Sequence, residues 1–585
     1  MYLHTVAAAT LTAALGLAPI VTAAAAQDWV TKSDSYTALR LKVDADFNPE
    51  FAAQIGLDGY DALILDIRPG YQERYRKALE KVTAQYRQAL RTETDPQVRQ
   101  DLEILITSAD EALATQALYE KHLIDYYDLP ETIFRSTQSL INPQIDKARH
   151  PAALARLHKY LGMEKGYLSV FEHARRETAQ DLKNPKLIGP YVRELQKSLD
   201  NMPRFVAGVR QLFAGSEVTG WEPAVAELEK QVNDYAAWLR TNLLPRARQT
   251  SQLPAEIYAA NLRNFGVRMD PHELIGRATA GFMDIRLEMQ ALAKRIAKER
   301  GFKSDDYRDV IRALKKEQFT SENIMPAYHK RLADIEAIIR AHDIVTLPQR
   351  DAIIRLASEA ESAAQPAPHM RPPRLIGNTG EQGEFVLPLK NPNAESAAQM
   401  DDFLNDAIAW TLTVHEARPG HEMQFAKMVE NGVSRARMLY AFNSANAEGW
   451  ALYAEAVMLP YLPPEGQLMS LQMRLLRAAR AFLDPMVNLG MTDYETVRNF
   501  LMKEIVLSEP MATQEADRYT FRAPGQATSY YYGHMKMQEI RAKAELALGE
   551  KFRERDFHDF ILAQGLLPPE LMAKAVEEGF VKPRL

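Results

Sequence analysis

Thr413-Val-His415-Glu416-Ala-Arg-Pro-Gly-His421-Glu-Met-Gln424 is followed a few turns later by Asn446-Ala-Glu448-Gly-Trp450-Ala-Leu-Tyr453-Ala-Glu455. The apolar run Ala407-Ile408-Ala409-Trp410-Thr411-Leu412 leads into the first stretch. A charged pair emerging from a buried helix needs partners, because uncompensated buried charge is costly. Two imidazoles and one carboxylate fill three positions around a Zn²⁺ and leave the fourth open for water. His415, His421 and Glu448 are the candidate ligands of one zinc per chain. Glu416, directly after the first His, is the candidate general base.

The spacing departs from the common HExxH helix, whose imidazoles lie at i and i+4, about 40° apart around the axis. Six residues separate His415 from His421, which on an unbroken helix places them roughly 120° apart. Arg418-Pro419-Gly420 lies between them. Proline removes a backbone donor and restricts the preceding residue, while glycine permits almost any φ. The spacing therefore predicts one broken, re-aimed turn between the two rings.

HEARPGHEMQ resembles the HExxPGHxxQ signature of the domain-of-unknown-function-885 family, and NAEGWALYAE resembles its EGWALYxE segment. Pro524-Gly-Gln526-Ala-Thr-Ser-Tyr530-Tyr531-Tyr532-Gly533 resembles its PGQAxxYxxG segment. The three motifs fall in the family's order over most of the chain. The family is similar to helical gluzincin-type metallopeptidases, which implies zinc-dependent cleavage of peptides or related amides. Where family members often read DxGxH, this chain has Asp484-Pro-Met-Val-Asn488, so no role for a His is carried over there.

A tetrahedral intermediate needs donors aimed at its oxyanion. A helix after Pro524-Gly525 would align Gln526, Tyr530 and His534 on one stripe with Tyr531 beside it. Tyr530, Tyr531 and His534 are catalytic candidates and Gln526 a candidate substrate contact, against the alternative that the tyrosines line the core or the cleft. Gln424 is placed to orient a ligand or the substrate, and Glu455, two turns beyond Glu448, to support a ligand. Arg477, Arg480 and Asp484 share a helix face, read either as a buried ion-pair network or as a carboxylate clamp centred on Arg480. The clamp would make a carboxypeptidase, although Arg418, Arg522 and Arg541 compete for that role.

The chain has 585 residues, 46% of them hydrophobic, and a net charge of −6. That composition supplies a large core, and the charge argues against a nucleic-acid partner. Residues 1–26 read as a cleavable signal peptide, with an uncharged run from Val6 ending in Ala24-Ala25-Ala26. An uncleaved membrane anchor is the alternative. With no cysteine at all, disulfides and thiol acylation are excluded. A periplasmic or secreted protein is expected, with no membrane contact after cleavage.

Amphipathic helices fill the rest, including Tyr71–Arg91, Arg286–Arg300 and Ile324–His342, with breaks expected at several prolines, Pro203 among them. Asp270 reads as a helix cap before Pro271-His272-Glu273, which makes that His-Glu pair a decoy. Glu384–Leu389 reads as a short edge strand, able to spare a donor at Pro388 and either to pair with a substrate backbone or to close a structural hairpin. The expected fold is mainly α, a large multi-helix assembly around a deep cleft with a small β element before the zinc-binding helix. It divides into a helical region 27–365 and a catalytic region 366–585. The expected function is a secreted zinc metallopeptidase acting on peptides. A zinc esterase or amidase, and a non-catalytic binding protein with a decayed site, are the alternatives.

Overall fold

Asp270 accepts hydrogen bonds from the backbone N–H groups of His272 and Glu273, and so caps a helix running from Pro271 to Arg300. The computed structural model describes residues 28–585 apart from 321, 366 and 389–399. The reading of residues 1–26 as a leader lies outside the described residues. Helices dominate throughout, and only three short strands occur among the described residues. The expected helices are present as Tyr71–Thr92, Pro271–Arg300 and Ile324–Ala341. None of the described helices is long and apolar enough to cross a membrane.

Pro203 does not break its helix. It sits inside Val192–Ala214, just as Pro485 sits inside Pro464–Asn488. Each helix buries a wide apolar face, including Leu199, Met202 and Phe205 around the first proline. Tertiary packing thus overrides the local cost of one missing backbone bond.

The strands β1 (Ile353–Leu356), β2 (His369–Arg371) and β3 (Glu384–Leu387) form one sheet in the order β1-β3-β2. β3 runs parallel to β1 and antiparallel to β2. The expectation of an edge strand at Glu384 is therefore corrected, since β3 is central and Pro388 lies just past its end. All four β3 residues are buried, which explains why the run reads as continuously apolar after Glu384. The outer strands of the sheet are β1 and β2.

One buried core unites residues from Tyr258 to Leu332 with others from Ile354 to Tyr532. A second fills the N-terminal helices from Ile67 to Ala247. The boundary drawn at 365/366 runs through the sheet, with β1 on one side and β3 on the other. The long helices Pro271–Arg300 and Pro464–Asn488 lie side by side, as do Ser444–Met458 and Thr528–Leu548. That second pair carries Glu448, Glu455 and Tyr530.

Candidate metal centre

The apolar run becomes the helix Asp406–Leu412, capped by Asn405, whose side chain accepts from the Ile408 N–H. It passes into a wider π-helical turn, Thr413–Ala417, and the backbone is extended at Arg418. A new helix starts at His421. A Cβ at Gly420 would sit 1.9 Å from the His415 carbonyl oxygen, so only glycine lets the chain pass this close to the turn it has just left. The expected break is present, and it brings the two imidazole centroids to 4.8 Å, nearly perpendicular.

Glu448 arrives from the helix Ser444–Met458, capped by Asn443. Its Oε2 lies 3.4 Å from His415 Nε2 and 3.1 Å from His421 Nε2. Ligand atoms of the three residues all lie within 4.8 Å of one another. Tetrahedral donors at zinc bond lengths are about 3.3 Å apart, and the two separations from Glu448 bracket that value. Glu416 lies alongside, with Oε1 3.9 Å from His415 Nε2.

Behind His415 stands Glu455, two turns along the Glu448 helix. Its Oε1 is 2.7 Å from His415 Nδ1, and its Oε2 accepts from Thr411 Oγ1 at 3.0 Å. An ionised carboxylate only accepts, so Nδ1 donates to Glu455, and Nε2 is the ring nitrogen that faces Glu448 and His421. Burial works against charge on His415, but hydrogen bonds to Glu448 and Glu455 outweigh it and raise its pKa to about 9. Burial likewise opposes ionisation of Glu448, yet the two imidazoles hold its carboxyl well below the usual range.

His415, Glu416, His421 and Glu448 line a cavity of about 140 Å³ together with His369, Arg477, Arg480, Arg518 and Tyr530. A second cavity of about 520 Å³ shares Glu448, Arg518 and Tyr530 with it and extends to Tyr126, Asp128 and Glu194 of the N-terminal helices. The Tyr530 ring stacks parallel to His415 at 6.4 Å, and its oxygen accepts from Arg518 Nη1 at 3.2 Å.

Other expected contacts fall elsewhere. Tyr531, 100° around the helix from Tyr530, turns toward Pro271–Arg300, where a Cβ on Gly281 would lie 1.8 Å from its hydroxyl oxygen. His534 lies a turn further along, outside both cavities, and burial pushes its pKa down to about 3. Gln424 donates to Asn446 Oδ1 at 2.9 Å, tying the His421 and Glu448 helices together away from the cavity. Gln526 precedes the helix Thr528–Leu548 rather than sharing its stripe; it lines the larger cavity and donates to Ser444 Oγ. Asp484 leaves the arginine network entirely. It accepts from Tyr258, Asn488 and the Gly525 N–H, anchoring the Pro524-Gly525 loop, and burial raises its pKa to about 8.

Arg480 is held by Glu515 through Nε and Nη2 at 2.6 and 2.7 Å, yet it also lines the smaller cavity. Arg418 is occupied by Glu422 and Glu336, and Arg541 by Glu545 and Glu554. The Glu448 and Tyr530 helices cross where Gly449 meets Gly533. A Cβ on Gly533 would lie 2.0 Å from the Ala445 carbonyl oxygen, and one on Gly449 2.6 Å from the Gly533 carbonyl carbon.

A family model described as bacterial protein of unknown function (DUF885) matches residues 49–576. The chain belongs to this family. Two solved structures share its fold. One, provisionally described as a lipoprotein from Colwellia psychrerythraea, is 18% identical with a TM-score of 0.75, over 93% of this chain and 98% of that one. The other, likewise provisional, is a lipoprotein of unknown function from Shewanella oneidensis; it is 19% identical with a TM-score of 0.71, over 94% and 100%. At such identities the likeness is one of fold. No curated protein matches the chain.

Two cavity residues of this DUF885 chain carry no readable signal in its sequence. His369 lies on β2, its Nδ1 3.0 Å from the Ala367 carbonyl and its ring at the cavity. Burial lowers its pKa. Arg518 lies on the π-helical turn Arg518–Arg522 before the Pro-Gly-Gln motif, with no periodic pattern to single it out.

Proposed function

We propose that this protein is a zinc-dependent hydrolase of peptide bonds that works outside the cytoplasm. The observation that carries the reading is the convergence of His415 Nε2, His421 Nε2 and Glu448 Oε2 beside Glu416. The donor set of two imidazoles and one carboxylate suits zinc, and the Glu448 oxygen lies at tetrahedral separations from both rings. It does not suit calcium, which takes six or more oxygens. The Glu455 carboxylate behind His415 is the kind of outer partner that fixes a metal-binding tautomer.

Bound zinc would supply Lewis acidity, polarising the scissile carbonyl and lowering the pKa of water toward about 7. Glu416 takes the proton of the attacking water and returns it to the leaving amine. Tyr530 accepts from Arg518, which leaves its own O–H to donate to the developing oxyanion. The Ala-rich, uncharged run ending at Ala26 supports export.

Metal analysis of the purified protein, paired with a peptide-library digest read by mass spectrometry, tests the reading. The expected result is one zinc per chain and peptide cleavage that chelation abolishes. Absence of stoichiometric zinc, or cleavage untouched by chelation, overturns it. Parallel amide and ester panels separate peptidase from esterase action.

A further inference from the structure

The arginine side of the metal cavity holds more donors than its own carboxylates use. Arg477 and Arg480 are 5% and 4% exposed and line the cavity with Arg518. Arg480 spends Nε and Nη2 on Glu515, while its Nη1 makes no hydrogen bond among the described residues. Arg477 approaches Glu455 only at 3.6 Å through Nη2, and its Nε and Nη1 make none. Buried donors are nearly always paired, so idle guanidinium N–H groups at a cavity mark a place for an acceptor.

The charges point the same way. The guanidiniums of Arg480, Arg477 and Arg518 lie 4.4, 6.0 and 6.0 Å from the centre of one ring, that of Tyr530. The carboxylates among them are Glu515 and Glu455, and Glu455 is shared with His415. Like charges this close repel, and an anion shared among the guanidiniums relieves that repulsion. Guanidinium is a planar fork that fits a carboxylate. A phosphate dianion would meet Glu416 and Glu448 on the opposite side of the same small cavity.

Resting on the hydrolase reading above, we infer that Arg477, Arg480 and Arg518 form a subsite for the free C-terminal carboxylate of the substrate, making the enzyme a carboxypeptidase. Only the Glu455 carboxylate separates Arg477 from the His415 ring. Neighbouring Cα atoms of a peptide are about 3.8 Å apart, so a carboxylate held here belongs to the residue just past the scissile bond. The rest of the substrate extends into the larger cavity toward Tyr126 and Asp128. A side-chain carboxylate on that last residue has the same chemistry, and the probes below separate the two.

Zinc-loaded full-length Glu416→Gln protein is equilibrated with N-acetyl dipeptides as free acids and as C-terminal amides, and the retained pool is read by mass spectrometry. Free acids are expected to exceed the matching amides about 10- to 100-fold, the range of a charge-assisted contact. Adding Arg477→Met should abolish that excess with zinc content unchanged, and Arg477→Lys should restore part of it. Equal retention of acids and amides, retention of neither, or an excess that survives Arg477→Met overturns the subsite. Retention of amides ending in Asp or Glu as strongly as free acids overturns its C-terminal placement. Wild-type turnover reads the hydrolase separately. Selective binding of free acids without cleavage keeps the subsite and sinks the hydrolase, whereas equal cleavage of acids and amides does the reverse.

Discussion

On one side of the small cavity, His415 and His421 face the carboxylates of Glu416, Glu448 and Glu455; on the other, Arg477, Arg480 and Arg518 surround the Tyr530 ring with Glu515 beneath them. Both sides are buried and densely ionisable, but they are incomplete in opposite senses. The histidine side gathers imidazole nitrogens and carboxylate oxygens around a common point, a donor set that could take a cation. The arginine side gathers N–H groups, a set that could take an anion. A surface patch of mixed charge would neutralise itself through mobile pairs worth little. Here the two kinds of group are kept apart by rigid helices, and each is left with capacity for something from outside.

The comparison breaks most directly at Glu448. Glu448→Ala removes the atom that both imidazoles face, and it is expected to abolish stoichiometric zinc and turnover together. Zinc retained at wild-type level would remove Glu448 from the centre. Glu416→Gln sharpens the same side, because the amide keeps the shape but accepts no proton. Turnover should fall by about 10²- to 10⁴-fold while metal analysis still finds one zinc per chain. Wild-type turnover in this variant would exclude Glu416 as the base.

Glu455→Gln probes the link between the two sides, since that carboxylate holds the His415 proton and sits 3.6 Å from Arg477. Zinc affinity, measured by chelator competition, should weaken by about 10- to 100-fold. An unchanged affinity would reduce Glu455 to a charge partner of Arg477.

The smallest effect is expected on the arginine side, at Glu515. It is buried, and despite that burial Arg480 and Arg518 hold its pKa down at about 2. A carboxyl with a lowered folded-state pKa stabilises the fold above its unfolded value, near 4.5, and that contribution is lost as pH falls toward 2. Glu515→Gln should lower Tm at neutral pH and flatten the acid limb of Tm between about pH 4.5 and 2. An acid limb identical to wild type would assign the acid sensitivity to other carboxylates.

His415-Glu416 and His272-Glu273 are the same dipeptide, and sequence context separates them. The first follows an apolar run and precedes Pro-Gly-His; the second follows Asp-Pro, a helix start. The structure buries the first pair and leaves the second on the first turn of a capped helix. Helical class, the long helices and the broken turn at Pro419-Gly420 were legible for the same reason, because each depends on neighbours in the chain. The order of strands was not, since Glu384–Leu387 becomes central only when β1 and β2 close on it from both sides. Nor was the choice among three consecutive tyrosines. Only the neighbouring helices decide that Tyr530 faces His415 while Tyr531 faces Gly281.

The bare contact at Gly449 and Gly533 gives the site a mechanical property. Glu448 sits one residue before Gly449, and Tyr530 sits three residues before Gly533. With backbone resting on backbone, a single added methyl is a wedge that has nowhere to go except between those two rods. The spacing from Glu448 to Tyr530 is thus set by the thickness of the peptide chain itself, a gauge that no side-chain rotamer can readjust.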